Sequence, residues 1–274
     1  MIIKTLVENT TLQENLEVEH GLSLYIETKK HKILFDTGES GIFAQNAIKM
    51  DVDLSAVDMV VISHGHYDHG GGLKTFLSLN SKAKIYVNKK TFDKHYAIRP
   101  NGVKTYIGLD EGLLGNDRFI FAGNSMVVDD EIELFSGVKA QRLNPSGNQD
   151  LLMMNGDEFI PDDFHHEQNM IINEDDKTIL VAGCAHNGIV NIMDHYHYLK
   201  NSFPNHVVGG FHLYNRSRNT NENPMLVDEI GESLLKTGSQ YYTGHCTGME
   251  SFSRLKKIMG NKIDYLATGS QIII

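Results

Sequence analysis

The chain has no tryptophan, only five prolines and only two cysteines among 274 residues. Two cysteines, Cys184 and Cys246, cannot build a disulfide framework, so a reducing cytoplasm is the expected setting. With so few prolines and no low-complexity tract, no linker is visible, and 1–274 reads as a single domain. Positive charge is scarce: 25 Lys and Arg stand against 35 Asp and Glu, a formal net charge of −10. That balance argues against nucleic acid as a partner, because such surfaces need a basic patch. A small anionic substrate stays compatible with it, since one metal ion reverses the local field. Long apolar runs are missing too. Nothing approaches the roughly 20 residues of a membrane span, and Lys4 interrupts the opening MIIKTLVENT, which does not read as a signal peptide.

What the chain does have is histidine, 14 in all. Their setting follows from the apolar patterning. IIKTLVEN, LSLYIET and KILFDTG read as consecutive antiparallel strands, and VDMVVIS as a strand covered on both faces. Leu73, Phe76 and Leu77 recur at helical spacing, and AKIYVN returns to a strand. From Lys89 to Asn116 the pattern dissolves into a long irregular segment in which Lys94, His95, Tyr96 and Arg99 read preferentially as a solvated charged loop, and alternatively as a group that binds an anion. The rhythm then repeats. QNMIINE and KTILVAG are strands, and Ile189, Ile192, Met193, Tyr196 and Leu199 form a helical stripe. NPMLVDEIGESLLKTG is a helix with Asn223 as cap and Pro224 in its first turn, and DYLATGSQIII is a terminal strand. Two strand-helix halves, roughly 1–116 and 117–274, predict two sheets face to face with helices outside: a four-layer αββα sandwich.

In VVISHGHYDHGGGL, His64 and His66 stand two apart just past a buried strand, so both imidazoles can point at one ion. Asp68 and His69 follow on a turn, placed for a second ion or a water. His and Asp suit zinc, and also manganese or iron. ILVAGCAHNGI repeats the design and projects His186 from a strand end, while YYTGHCTG does the same with His245. VVGGFHL ends in His212, a candidate ligand, proton donor or substrate contact.

SHGHYDHGGGL resembles the signature of the metallo-β-lactamase superfamily, and FDTG at 35–38 resembles its strand-end aspartate. More narrowly, EHGLSLYIET, KILFDTGES, AGCAHNGIVNI, GGFHL and GHCTG are similar to a prokaryotic branch of metal-dependent hydrolases, some named for an archaeal dihydropterin-linked synthase. The resemblance implies one or two divalent ions held by His64, His66, Asp68, His69, His186 and His245, with Asp36 orienting an imidazole or a water behind them. It also marks a departure. Where many dinuclear members bridge two ions with aspartate, this chain has Cys184, which reads either as a thiolate ligand or, preferentially, as a small packed thiol. His165 or His166 would supply the superfamily's middle histidine, and His20 matches the narrower branch. Cys246 reads as structural.

Function follows as an expectation: a metal-dependent hydrolase of an ester, lactone or phosphoester, using a metal-bound hydroxide, with Asp68 orienting the nucleophile and His212 protonating the leaving group. The alternatives are a transferase joining a pterin to an aminobenzoate-type partner, and a non-catalytic metal-holding sensor.

Overall fold

In the strand Lys32–Phe35 the three apolar residues are all buried, Ile33 and Phe35 on one face and Leu34 on the other. A strand apolar on both faces needs a layer on each side. The computed structural model, which describes residues 1–274, supplies both. Ile33 and Phe35, with Leu24, Ile26 and Val61, pack against Leu134, Met170, Ile172 and Val181 of a second sheet. Leu34, Val60 and Ile85 meet Phe43 of the helix Ile42–Lys49 and Leu73 and Phe76 of the helix Leu73–Leu79. On the opposite outer face Leu180, Val207 and Tyr241 lie under the helices Ile189–Lys200, Pro224–Leu235 and Met249–Met259. The architecture is the expected αββα sandwich.

Each sheet has seven strands, three pairings antiparallel and three parallel. The parallel strands matter for function, because their carboxyl ends share one rim. The helix at Pro224 starts as expected, the Asn223 side chain accepting the Met225 N–H. No helix is long and apolar enough to cross a membrane.

Two expectations need correction. DYLATGSQIII is not one strand: Ile263–Tyr265 ends the second sheet, and Gln271–Ile273 crosses to pair with Ile2–Val7 in the first. Gly269, at φ 91°, makes the turn between them. Nor is 89–116 an irregular loop. His95–Ile98 and Lys104–Tyr106 pair with each other and with Leu151–Asn155 and Glu158–Pro161 in a separate four-stranded sheet. The partner that orders them is more than forty residues away, so local pattern does not reveal it.

His31 joins the two main sheets through charge. Its Nδ1 lies 2.9 Å from Asp58 and its Nε2 2.7 Å from Asp129, a geometry that requires both ring nitrogens to carry protons. Burial alone would lower its pKa, but the two carboxylates outweigh it and the pKa is raised. A raised folded-state pKa gives stabilisation fully present below the unfolded value of about 6.5 and lost as pH rises through the folded value. The stability gap between the parent and His31→Gln should therefore shrink as urea midpoints are followed upward from pH 6. A gap independent of pH would mean that His31 acts through packing alone.

Candidate metal centre

Five parallel strands end at this rim. Lys32–Phe35 and Met59–Val61 deliver Asp36, then Ser63 and His64, while Lys177–Val181, His206–Val208 and Gln240–Thr243 deliver Cys184 and His186, His212, and His245. Gly183 allows the two sheets to touch here, since a Cβ would lie 2.1 Å from Ser63 Oγ. Asp36, Ala185, His212 and His245 all hold positive φ, between 50° and 59°. Left-handed backbone at non-glycine residues costs on the order of 1 kcal/mol or more each and collects where geometry serves function.

Hydrogen bonds at the back of each ring decide what its front can do. Asp36 accepts the Ser63 N–H and O–H, both at 2.7 Å, and faces His69 Nδ1 at 2.6 Å. His69 therefore carries its proton on Nδ1 and turns a lone pair forward on Nε2. Ser63 Oγ, its hydrogen given to Asp36, accepts from His64 Nδ1 at 2.8 Å. His186 Nδ1 donates to Asn148 Oδ1 at 3.1 Å, and His245 Nδ1 to Asn9 Oδ1 at 2.9 Å. All four rings thus present Nε2 as an acceptor. Asn9 also sets the opposite tautomer next door: its NH₂ donates to His20 Nδ1, leaving His20 Nε2–H to face Asp68 Oδ2 at 3.2 Å.

The forward-facing atoms fall into two neighbouring groups. His69 Nε2 lies 3.2 Å from His245 Nε2 and 3.7 Å from Asp68 Oδ2, and Asp68 Oδ2 is 3.3 Å from His245 Nε2. His64, His66 and His186 cluster beside them with ring centroids 4.6–4.9 Å apart, each with a buried Nε2 that has no hydrogen-bond partner. Burial holds these three rings well below the usual histidine pKa, so they are neutral donors. At His69 burial pulls downward, but the Asp36 and Asp68 carboxylates outweigh it and push the pKa up to about 9, so a cation at this position would take its Nε2 lone pair by displacing a proton. Orphaned imidazole nitrogens and excess negative charge both suit a divalent cation. So do the supports: Asp36 on Ser63 N, Glu167 on His186 N (2.6 Å) and Glu8 on His245 N (2.5 Å) are buried carboxylates with no Lys or Arg ion pair. Sequence reasoning missed Glu8, Asn9 and Glu167.

Four expectations change. Cys184 is not simply core packing, because Ala185's left-handed turn leaves its sulfur 3.1 Å from His69 Nε2, within donor reach of both groups. His166 is buried as His165 is not, but its Nδ1 accepts the Gly65 N–H at 2.9 Å. His166 therefore braces the motif loop, while its buried Nε2, 3.4 Å from Asp162, falls in a further donor group with His66, His95 and Asp162. His95 is no solvated loop residue either; it is buried and paired through Nδ1 with Asp162 at 2.7 Å. Cys246, read as structural, accepts the His212 N–H and also lines the cleft.

That cleft, roughly 630 Å³ with its open mouth, is lined at its floor by the buried His66, Asp68 and His186 and by the half-buried His212. The chain that builds this rim on an αββα sandwich matches the family model of the metallo-β-lactamase superfamily over residues 16–269. The chain belongs to that superfamily. Among its relatives is the 7,8-dihydropterin-6-methyl-4-(β-D-ribofuranosyl)-aminobenzene-5'-phosphate synthase of Methanocaldococcus jannaschii, 28% identical over 85% of this chain and 82% of that protein. The same organism's protein MJ0448 is 28% identical over 94% of each chain. Among solved structures, Tm1679, a metal-dependent hydrolase of the β-lactamase superfamily, superposes with a TM-score of 0.84 at 28% identity, covering 100% of this chain and 99% of its own.

Proposed function

We propose that this metallo-β-lactamase-fold protein is a metal-dependent hydrolase of a small-molecule ester, lactone or phosphoester. The observation that carries the reading is the set of buried imidazoles, their Nδ1 atoms tied and their Nε2 atoms open, around Asp68 at the floor of a cleft. His64, His66, His186, Asp68, His69 and His245 would hold one or two ions. Zinc is the first choice for such donors, with manganese or iron as alternatives. When bound, the ion supplies Lewis acidity, polarising a carbonyl or phosphoryl oxygen and acidifying a water towards neutral pH. Asp68, kept ionised by His69, His20 and His245 against the pull of burial, orients the attacking water and accepts its proton. His212 is half-buried at the open side with Nδ1 unpartnered, placed to protonate the leaving group. Two free buried thiols suit a reducing cytoplasm.

Elemental analysis of protein purified without added metal, followed by a panel of esters, lactones and phosphoesters, tests the reading. At least one divalent ion per chain is expected, with turnover lost to a chelator and restored by zinc or manganese. Metal-replete protein inert to the whole panel would overturn it. The likeness to a synthase supports a second reading, transfer to an aminobenzoate-type acceptor. Product released with water as the only other reactant decides for hydrolysis.

A further inference from the structure

The mouth of the cleft runs against the charge of the whole chain. The net charge is −10, and several surface arginines are neutralised by acidic neighbours: Arg142 pairs with Asp194, Arg254 with Asp228, and Arg218 with Asp150. Two arginines at the cleft differ. Arg99, at the end of His95–Ile98, gives its Nη1 to Ser217 Oγ at 2.9 Å and meets no carboxylate. Arg216 reaches only the Tyr67 hydroxyl, at 3.4 Å. Both line the same cleft as Asp68, His186 and His212.

Their placement is built rather than incidental. Arg216, Ser217 and Arg218 form the turn of a small hairpin whose strands are Tyr214–Asn215 and Thr220–Asn221. Arg218 and Asn215 fasten that hairpin to the buried Asp150. The fastening neutralises Asp150 and leaves Arg216 on the cleft side, next to the serine that holds Arg99. Tyr67, which follows the ligand-type His66, lines the same cleft and meets Arg216 through its hydroxyl. Both arginines pull its pKa downward, although burial, the larger influence, raises it. Burial raises the pKa of the nearby Glu39, and Arg216 opposes that rise.

We propose that Arg99 and Arg216 form an anion clamp that grips a phosphoryl group of the substrate away from the bond being cleaved. This rests on the hydrolase reading and narrows its substrate class to phosphorylated small molecules. Guanidinium forks match phosphoryl oxygens two at a time, and two such forks on one cleft suit a dianion better than a monoanionic carboxylate. Tyr67 and Tyr214 offer flat walls for the body of the molecule.

The test uses phenylphosphonate, a non-hydrolysable probe, with benzoate and benzyl alcohol as its monoanionic and neutral counterparts. Binding is measured by calorimetry on metal-loaded and chelator-treated protein, with folding checked by circular dichroism. Phenylphosphonate should bind in both states and more tightly than benzoate. Arg99→Ala and Arg216→Ala should each raise its Kd about tenfold, and the double variant further. Arg142→Ala, which removes an equal charge far from the cleft, should leave the Kd unchanged. Arginine variants that bind phenylphosphonate like the parent would overturn the clamp and assign the anion to the metal centre alone. Benzoate binding as tightly as the phosphonate would overturn the phosphoryl assignment. Because no turnover is read, these results stand apart from the substrate panel that tests the hydrolase reading.

Discussion

Asp36→Asn should leave the sandwich folded while metal affinity, and with it turnover, falls by about 10–100-fold. Asp36 is fully buried and uses both oxygens, one on the Ser63 N–H and the other on the Ser63 hydroxyl and His69 Nδ1. Asparagine keeps one acceptor and turns the other into a donor facing a group that is already donating. With the amide nitrogen at that position Ser63 must reverse its hydroxyl, which costs His64 its Nδ1 acceptor, and His69 must change tautomer and turn Nε2–H into the metal position. Each outcome blocks a lone pair on which metal binding depends. The carboxylate's charge is lost as well, and that charge offsets a cation in low dielectric. The measurement is a metal-competition titration with parent and variant side by side, with thermal unfolding as control. Equal metal affinities would show that Asp36 serves only to close the turn at its positive φ.

How far this centre could be read in advance depended on where each residue's partner lies along the chain. His64, His66, Asp68 and His69 were legible because strand, ligands and glycines are contiguous, and side-chain alternation along an extended segment is a local property. His186 and His245 followed from the same rule applied to other strand ends. Glu8 and Asn9 stand just past the strand Ile2–Val7 and could have been found in that way. Their contacts with His245 span more than 230 residues, and nothing near them in sequence announces the partner. His95 escaped for a related reason: its strand is ordered by Leu151–Asn155, and its carboxylate comes from Asp162. The layer order was legible for the opposite reason, since each strand's burial on one face or two is written in its own residues. Only the exchange of the last strand between sheets, at Gln271–Ile273, depended on a remote edge being free to accept it.

Cys184→Ala should cost the protein metal rather than stability. Cys184 alone appears in both donor groups, with Asp68, His69 and His245 on one side and His64 and His186 on the other. Burial pushes its thiol pKa up, so without a cation it remains a neutral S–H. A divalent ion at either group favours the thiolate, which then supplies the negative charge that the histidines lack. Two unit charges 4 Å apart repel by about 4 kcal/mol at an effective dielectric of 20, and two dications by several times that. Were both groups to hold an ion, the Cys184 thiolate would be the anion on hand to offset that repulsion, as a carboxylate does in other members of the fold family. Alanine removes that anion and leaves only a small cavity. After matched dialysis the variant should therefore hold fewer ions per chain than the parent, while the chelator-treated proteins unfold at similar temperatures. If both proteins retain the same metal and the variant instead melts earlier, Cys184 is packing after all.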